Sequence, residues 1–239
     1  MYVAKPAKLI RERAGGGLEM DHKTLRKFQD KGITILDPRN TYIGSGIKIG
    51  KNTVIYPNTF LKGKIQIGSN NNLGPNLHLE GKVIIGSKNT ISYSHITDSK
   101  IGNNNLIGPY ARIRDSSVIK NKVKIGNFVE IKNSEIGDGT QIAHLSYIGD
   151  AKLGQNVNIG AGTITANYNS LTGKKSRTII KDYAATGSNS VLVAPVTIGE
   201  HGMAAAGSVV TKNVPAKALA ITRPKQVNKL HYIKKKKRI

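Results

Sequence analysis

The chain has 239 residues, enough for one large domain or one domain with extensions. It contains no cysteine, which excludes a disulfide framework and a zinc–thiolate site. Lys and Arg number 37 against 14 Asp and Glu, and the net charge of +23 indicates an acidic partner: a phosphorylated small molecule, nucleic acid or an anionic surface. No apolar stretch reaches the roughly 20 residues of a membrane span, and the start is too basic for a signal peptide, so we expect a cytoplasmic protein without a membrane span.

Residues 1–34 are predicted to form an N-terminal extension with one short helix. Asp21 has the residue type of an N-cap, Leu25 and Phe28 share one helical face, and Gly32 is a stop signal. Residues 1–20 match no pattern with a predicted role. The helix is expected to cap one end of the repeat region that follows.

Residues 35–211 contain an internal repeat in which an aliphatic residue followed by glycine or another small residue recurs about every six positions. A period of six fits neither an α-helix nor an isolated half-buried strand. It predicts an all-β parallel β-helix, a triangular coil of about 18 residues per turn whose inward aliphatic side chains stack from coil to coil. The small residue after each aliphatic is predicted to permit the tight corner. Examples of the pair are Ile49-Gly50, Ile67-Gly68, Ile101-Gly102, Ile125-Gly126, Ile148-Gly149 and Ile198-Gly199.

Two segments depart from the repeat. Residues 166–177 interrupt it with a polar stretch that carries Lys174, Lys175 and Arg177, and this stretch predicts a loop leaving the coil at a corner. Such a loop suits a phosphate-bearing ligand, although a merely tolerated insertion is the alternative. Residues 212–239 form a basic C-terminal tail that ends in the run 234–238, which is either a solvated segment or one that binds anions.

The repeat phase brings two cations together. Arg114 and Lys132 are separated by one full predicted coil, and each follows an inward isoleucine. They are therefore predicted to stack on one side of the coil, where their repulsion is relieved by a shared anion or by solvent. His144 lies within a polar stretch, and a lone histidine of this kind is either structural or catalytic. No two histidines lie close together in the sequence, so no metal site is predicted.

Three segments carry a family resemblance: GNFVEIK at 126–132, AHLSYIGD at 143–150 and NIGAGTITANY at 158–168. In this order they resemble the acetyltransferase domain of the bifunctional bacterial N-acetylglucosamine-1-phosphate uridylyltransferase/glucosamine-1-phosphate N-acetyltransferase. The likeness extends from about Gly32 to Arg223, roughly four-fifths of the chain. Nothing in the chain resembles the glycine-rich nucleotide-binding motif of that family's first domain, so uridylyl transfer is not expected.

The resemblance implies a left-handed parallel β-helix that forms a homotrimer, with active sites between neighbouring subunits. It implies acetyl transfer from acetyl-CoA, as co-substrate, to the amino group of glucosamine-1-phosphate. The product, N-acetylglucosamine-1-phosphate, serves the synthesis of UDP-N-acetylglucosamine and cell-wall precursors. No metal is implied for this step.

The resemblance also assigns roles. His144 corresponds to the general base, and Asn167 is expected to position the amine or the acetyl group. Glu130 is predicted one coil below His144 on the same side, where it would orient the ring or stabilise the imidazolium. The sugar phosphate is assigned to Arg114, Lys132, Tyr147, Asn158 and, across an insertion of different length, Lys175. Acetyl-CoA is assigned to Ala161, Asn167, Tyr168, Ser188, Ala206 and Arg223.

Two alternatives remain open from the residues. Related β-helices acylate other amino sugars, often nucleotide-linked, so the acceptor could differ. The second alternative is a non-enzymatic β-helix that binds a polyanion through its basic tail. The tail has no interleaved aromatic residues for base stacking, so specific nucleic-acid binding is not predicted.

Overall fold

The computed structural model describes residues 8–12, 18–19 and 22–232, with side chains from residue 26 onward. The proposed cap at Asp21, the side chain of Leu25 and the basic run at 234–238 lie outside this description. One α-helix, α1, spans His22–Asp30, and a short 3₁₀ turn spans Pro38–Asn40. The backbone amide of Gly32 donates to the Gln29 carbonyl just after α1.

Almost all the remaining elements are short β-strands. The first ten are β1 Lys8–Glu12, β2 Leu18–Glu19, β3 Thr34–Ile35, β4 Thr41–Gly44, β5 Lys48–Ile49, β6 Val54–Ile55, β7 Thr59–Ile67, β8 Asn72–Leu73, β9 His78–Ile85 and β10 Thr90–Ile91. The next ten are β11 His95–Thr97, β12 Lys100–Ile101, β13 Leu106–Ile107, β14 Arg112–Arg114, β15 Val118–Ile119, β16 Lys124–Asn127, β17 Glu130–Lys132, β18 Glu135–Ile136, β19 Gln141–His144 and β20 Tyr147–Gly149. The last ten are β21 Ala151–Leu153, β22 Asn158–Ile159, β23 Ile164–Ala166, β24 Thr178–Ile180, β25 Ala185–Thr186, β26 Val191–Val193, β27 Val196–Ile198, β28 Met203–Ala204, β29 Val209–Val210 and β30 Leu219–Ala220.

The strands stack as a parallel β-helix with three faces, which confirms the predicted all-β hexapeptide-repeat fold. One face is the sheet β3-β6-β8-β10-β13-β16-β19-β22-β25-β28-β30. A second face runs through β4, β7, β9, β11, β14, β17, β20, β23, β26 and β29, and the third through β5, β12, β15, β18, β21, β24 and β27. The long strands β7 and β9 contribute to both of these faces, because β9 pairs with β11 at one end and β12 at the other.

The core is the predicted ladder of inward aliphatic residues. On the first face, Ile55, Leu73, Ile91, Ile107 and Ile125 are successive partners in register, and each is fully buried. Each coil therefore adds one aliphatic side chain to a continuous hydrophobic column, so the fold is stabilised chiefly by contacts between neighbouring coils.

Polar side chains also form a buried ladder inside the coil. Asn71 Oδ1 accepts from the backbone amide of Asn89 at 2.8 Å, and Asn89 Oδ1 accepts from the amide of Asn105 at 2.9 Å. All three residues are buried. Because the corner turns the backbone away from the regular ladder, these amides supply hydrogen bonds that the peptide groups would otherwise lack.

At most repeat positions the glycine after the aliphatic residue serves a different purpose from the predicted one, although Gly74 and Gly108, with φ +99° and +103°, do have the left-handed backbone. The left-handed corner conformation belongs to the residue two positions later, such as Asn70 with φ +60°. Gly68 is required by close stacking instead, because a Cβ at this position would lie 2.6 Å from the carbonyl oxygen of Gly86 on the next coil. The repeat thus selects glycine where the backbones of successive coils approach each other.

The chain leaves the coil between β23 and β24, where residues 166–177 were expected to form a loop. Ala166 still belongs to β23, and the register resumes when Thr178 pairs with Ala151. At the other end, β30 pairs with β28, so regular pairing continues to Ala220, beyond the expected end of the repeat domain at residue 211.

One outward column on the second face is aromatic. The rings of Tyr42 and Phe60 stack with centroids 4.6 Å apart, and those of His78 and His95 stack at 4.7 Å. Burial lowers the pKa of His95, and the charges of His78 and Arg112 lower this pKa further.

Within the described residues, no helix is both long and apolar enough to cross a membrane.

Candidate functional site

The centre of the candidate site is the cation pair, Arg114 and Lys132. The two residues are partners in register on β14 and β17, which confirms the stacking predicted from the repeat phase. One carboxylate lies against both: Asp115 Oδ2 is 2.9 Å from Arg114 Nη1 and 3.8 Å from Lys132 Nζ. The side chains of Arg114 and Lys132 are only 25% and 17% exposed, so their charges are partly shielded from water.

Glu130 is the second anion at the cation pair. Its Oε1 accepts from Arg114 Nε at 2.6 Å. Burial alone would lower the pKa of Arg114, but the hydrogen bond to Glu130 and the charges of Glu130 and Asp115 outweigh it and raise this pKa. Arg114 is therefore a fixed cation whose side chain is held from two sides.

Tyr147 lies on β20, the strand that pairs with Lys132 of the cation pair. Lys132 and Gly149 are partners in register, and the ring of Tyr147 occupies the space above Gly149 that a side chain would fill. A Cβ at Gly149 would lie 2.4 Å from the Tyr147 hydroxyl oxygen. The missing side chain allows the phenol to lie along the strand toward the column of the cation pair.

His144 ends β19 and is exposed. Its Nδ1 lies 3.3 Å from Oδ1 of Asn127, the residue in register with it on the preceding coil. The expectation that Glu130 lies below His144 is thereby corrected. This coil is one residue shorter than the regular repeat, so Glu130 lies beneath Tyr147 and its carboxylate binds Arg114 instead.

His144 belongs to a corner column that also contains residues assigned to acetyl-CoA. Ile142 pairs with Ile159, and continuing this register by two residues brings Ala161 over His144. The amide of Asn189 donates to the Ala161 carbonyl at 2.7 Å, and that of Gly207 donates to the Ser188 carbonyl at 2.8 Å. These contacts extend the column, which we define by its members Asn127, His144, Ala161, Ser188 and Ala206.

Arg223 meets the end of the corner column. Its Nη1 donates to the carbonyl of Ala206, which lies on the preceding coil. The predicted cofactor residues Ser188 and Ala206 are exposed, as is Arg223. The structure therefore joins small exposed residues and one cation in a continuous line that begins beside His144.

The loop between β23 and β24 forms a small hairpin. Tyr168 and Lys175 are bridged in antiparallel register, and the amide of Asn169 donates to the Lys174 carbonyl at 2.9 Å. Tyr168, assigned to acetyl-CoA, and Lys175, assigned to the sugar phosphate, are thus neighbours, and both are exposed. Among the described hydrogen bonds and salt bridges, none joins Lys175 to the cation pair.

Asn167, at the base of this hairpin, is buried, and its Nδ2 donates to Asp150 Oδ2. Oδ1 of Asp150 accepts from the side-chain amide of Asn133. Asp150 is itself only 7% exposed and has φ +47°. Sequence reasoning did not select Asp150 or Asn133, because nothing in the repeat phase marks a buried carboxylate that fixes an asparagine. Asn158, the remaining predicted residue, is exposed beside Gln141 on the first face.

An apolar ridge, defined by Tyr93, Tyr110, Phe128 and Leu145, runs along the corner between the first and second faces, directly after Asn127 and His144. Phe128 is 59% exposed and Leu145 61% exposed, and all four residues have φ between +46° and +59°. Left-handed backbone is the regular corner conformation of this coil, so the ridge is distinguished by its bulky exposed side chains. Above Leu145 the bulky side chains end, because the equivalent corner positions are Gly162, Asn189 and Gly207.

Comparison with known proteins agrees with this architecture. Residues 98–133 match the family described as bacterial transferase hexapeptide (six repeats). The "Bifunctional protein GlmU" of Brevibacillus brevis is 48% identical over 216 residues, which cover 90% of this chain and 46% of that protein. The protein of the same name from Carboxydothermus hydrogenoformans is 51% identical over 207 residues, 87% of this chain and 46% of that protein.

Among solved structures, an Arabidopsis UDP-N-acetylglucosamine acyltransferase is similar at a TM-score of 0.38 and 18% identity, over 80% of this chain and 70% of that one. The chain spans about half the length of the curated relatives it matches. The sequence relatives confirm the predicted resemblance: the chain is a relative of the bifunctional GlmU proteins, with an extent that fits the acetyltransferase domain alone.

Proposed function

We propose that the protein transfers the acetyl group of acetyl-CoA to the amino group of glucosamine-1-phosphate. The observation that carries this proposal is the in-register cation pair at the end of the second face, the face that begins directly after the corner preceded by His144. A sugar phosphate needs a concentrated positive charge, and an amine acceptor needs a base. His144 ends a strand of the first face, and the cation pair lies on the second face, which follows it.

The cation pair is proposed to bind the phosphate. Arg114 offers a planar guanidinium for two parallel hydrogen bonds, and Lys132 adds a point charge one coil away. Asp115, which contacts both cations, is then displaced by the phosphate and solvated. Tyr147 supplies a hydroxyl beside the pair, and Glu130 keeps Arg114 aligned.

His144 is proposed as the general base. The amine of the sugar attacks the thioester carbonyl, the C–S bond breaks, and CoA leaves as the thiol after it receives a proton. An imidazole accepts the amine proton effectively near neutral pH. The contact with Asn127 limits rotation of the ring. A backbone N–H at the corner would stabilise the oxyanion, and Asn167 would position the amine or the acetyl group.

Acetyl-CoA is proposed to lie along the corner column. Ala161, Ser188 and Ala206 present little side chain, which suits an extended pantetheine arm, and Arg223 is positioned for a phosphate of the nucleotide. Tyr168 is proposed as a further acetyl-CoA contact, and Lys175, its neighbour on the hairpin, as a sugar-phosphate contact. Asn158 remains a proposed sugar contact.

The working form is proposed to be a homotrimer with sites between subunits. The apolar ridge supports this proposal, because a second copy packed on the ridge would cover Phe128 and Leu145 and exclude water beside His144. The resemblance also implies a homotrimer with sites between subunits.

A cytoplasmic location remains a prediction from the sequence.

The reaction is tested by incubating the purified protein with acetyl-CoA and following thiol release with a panel of acceptors. The panel contains glucosamine-1-phosphate, unphosphorylated glucosamine and a nucleotide-linked amino sugar. We expect the first acceptor to have the highest kcat/KM. Preference for the nucleotide-linked sugar would favour a different acceptor, and no thiol release with any acceptor would refute acetyl transfer.

A further inference from the structure

The outward column on the second face brings together three residues that the proposed reaction does not use. His78 and His95 are partners in register on β9 and β11, and Glu80 follows His78 by two residues on the same side of β9. One ligand atom from each lies within 4.8 Å of the other two. Within the described residues, this is the one such group of three histidine or acidic side chains.

We infer that His78, Glu80 and His95 form a binding site for a divalent transition-metal ion of the Zn²⁺ class. Two imidazoles and one carboxylate suit Zn²⁺, whereas Mg²⁺ and Ca²⁺ prefer oxygen ligands alone. Three protein ligands leave one tetrahedral position for water. The site would tie two successive coils together on the outside of the β-helix.

The state of His95 supports this inference independently of the spacing. Its Nε2 is buried and has no hydrogen-bond partner among the described residues. A buried imidazole nitrogen without a partner costs free energy, and a metal ion would satisfy it. His78 Nε2 already lies 3.9 Å from Glu80 Oε2, so two of the ligands face each other.

The ligand atoms need only a small adjustment. With metal–nitrogen distances of about 2.0–2.1 Å, tetrahedral ligand atoms lie about 3.3 Å apart, so separations of up to 4.8 Å must shorten by about 1.5 Å or less. Side-chain rotation of His78 and Glu80 supplies this movement, at the cost of part of the stacking between the two imidazole rings.

Two neighbouring cations oppose binding and limit the affinity. Lys62 Nζ lies 3.7 Å from Glu80 Oε1, and Arg112 is the partner of His95 on the next coil. Lys62 is largely exposed and can turn away into water. Repulsion from Arg112 remains, and we therefore expect an affinity in the micromolar range, about −8 kcal/mol.

The test titrates the chelator-treated, tag-free full chain with Zn²⁺ alone by calorimetry, and with Co²⁺ followed by visible absorption. We expect one metal ion per chain and the absorption bands of tetrahedral Co²⁺. His95→Gln and Glu80→Gln should each weaken binding by at least about tenfold. Two different ligand variants are used so that misfolding of one does not decide the result.

His201→Gln is the matched control, because His201 also lies 3.7 Å from a glutamate, Glu200, and stacks on an aromatic ring, Tyr183. It should leave the Zn²⁺ affinity unchanged. Failure of the wild-type chain to bind Zn²⁺ would overturn the inference, as would binding that survives both His95→Gln and Glu80→Gln. Neither result would bear on acetyl transfer, which uses none of these residues.

Discussion

Arg114 and Lys132 are partners in register on successive coils, and the carboxylate of Asp115 contacts both of their side chains. Two like charges at this separation repel unless an anion lies between them. That anion is the exposed side chain of Asp115, which a phosphate can displace. The cation pair can therefore bind a doubly charged phosphate group. The proposal of a sugar-phosphate substrate rests on this arrangement.

Replacing His144 with alanine should abolish most of the activity and little of the stability. Loss of a general base costs about 10²–10⁴ in rate, so kcat should fall by that range while the KM for acetyl-CoA changes little. The ring is exposed and has one long side-chain contact, so its removal should leave the melting temperature nearly unchanged. Steady-state kinetics and thermal unfolding measure both quantities.

The control is His201→Ala, another exposed histidine, which should retain wild-type kcat. A loss of thermal stability in His144→Ala as large as its loss of activity would show that the imidazole is structural.

Gly149→Ala should act through Tyr147. A methyl group at residue 149 would lie 2.4 Å from the phenol oxygen, so the ring must swing away from the cation pair. Loss of its hydrogen bond to a charged phosphate is worth about 1.5–3 kcal/mol, so the KM for glucosamine-1-phosphate should rise about tenfold or more. Kinetics of the two single variants and the double variant test this route.

If the displaced ring is the cause, Gly149→Ala should add little in the Tyr147→Ala background. Fully additive effects of the two substitutions would contradict it.

Asp150→Asn should disturb Asn167. The buried carboxylate accepts hydrogen bonds from Asn167 and Asn133, and an amide at residue 150 can keep only one of these in good geometry. We expect a stability loss of about 1–3 kcal/mol and a fall in kcat of about tenfold. Denaturant unfolding and kinetics measure the two effects.

Asn133→Ala is the comparison, since it removes the other partner of Asp150 and leaves the bond to Asn167. It should cost stability but keep most of kcat. Equal falls in kcat for Asp150→Asn and Asn133→Ala would show that the network only stabilises the fold.

Phe128→Asp should disrupt association. The ring is 59% exposed on the apolar ridge, and a carboxylate in its place would be buried without a partner in a subunit interface. We expect a smaller assembly by light scattering and an activity loss of more than about tenfold, since water would enter beside the base. Tyr183→Asp, on an exposed aromatic residue away from the ridge, is the control. An unchanged assembly in Phe128→Asp would contradict the role of the ridge.

The repeat phase predicted the fold and the cation pair because the inward aliphatic residues stack at a regular spacing. The outward residues next to them must therefore stack at the same spacing. Arg114 and Lys132 are separated by a coil of regular length, so simple counting brings them together. Glu130 was misplaced relative to His144 because the next coil is one residue shorter and shifts the register by one.

Sequence analysis also missed the pairing of His78 with His95, which lie one shortened coil apart. The search for metal ligands considered only the spacings found within single strands or helices. His78 and His95 lie on successive coils, where they are partners in register. Counting by coil rather than by local spacing would have found them.

Other features have no signal in the spacing. The network of Asp150 depends on how a loop of non-repeat length folds back at Asn167, and the sequence does not encode this as a pattern. The reason for repeat glycines such as Gly68 was also misjudged, because the approach of Gly68 to Gly86 is a property of stacked coils and not of a single corner.

The most direct test of the central claim compares glucosamine-1-phosphate with unphosphorylated glucosamine as acceptor in the wild type, Arg114→Ala, Lys132→Ala and the double variant. The account predicts that each substitution lowers kcat/KM for the phosphorylated sugar by about tenfold or more, the cost of a lost charged hydrogen bond. It also predicts that the unphosphorylated sugar is little affected. A preference for the phosphorylated sugar that survives in the double variant would contradict it.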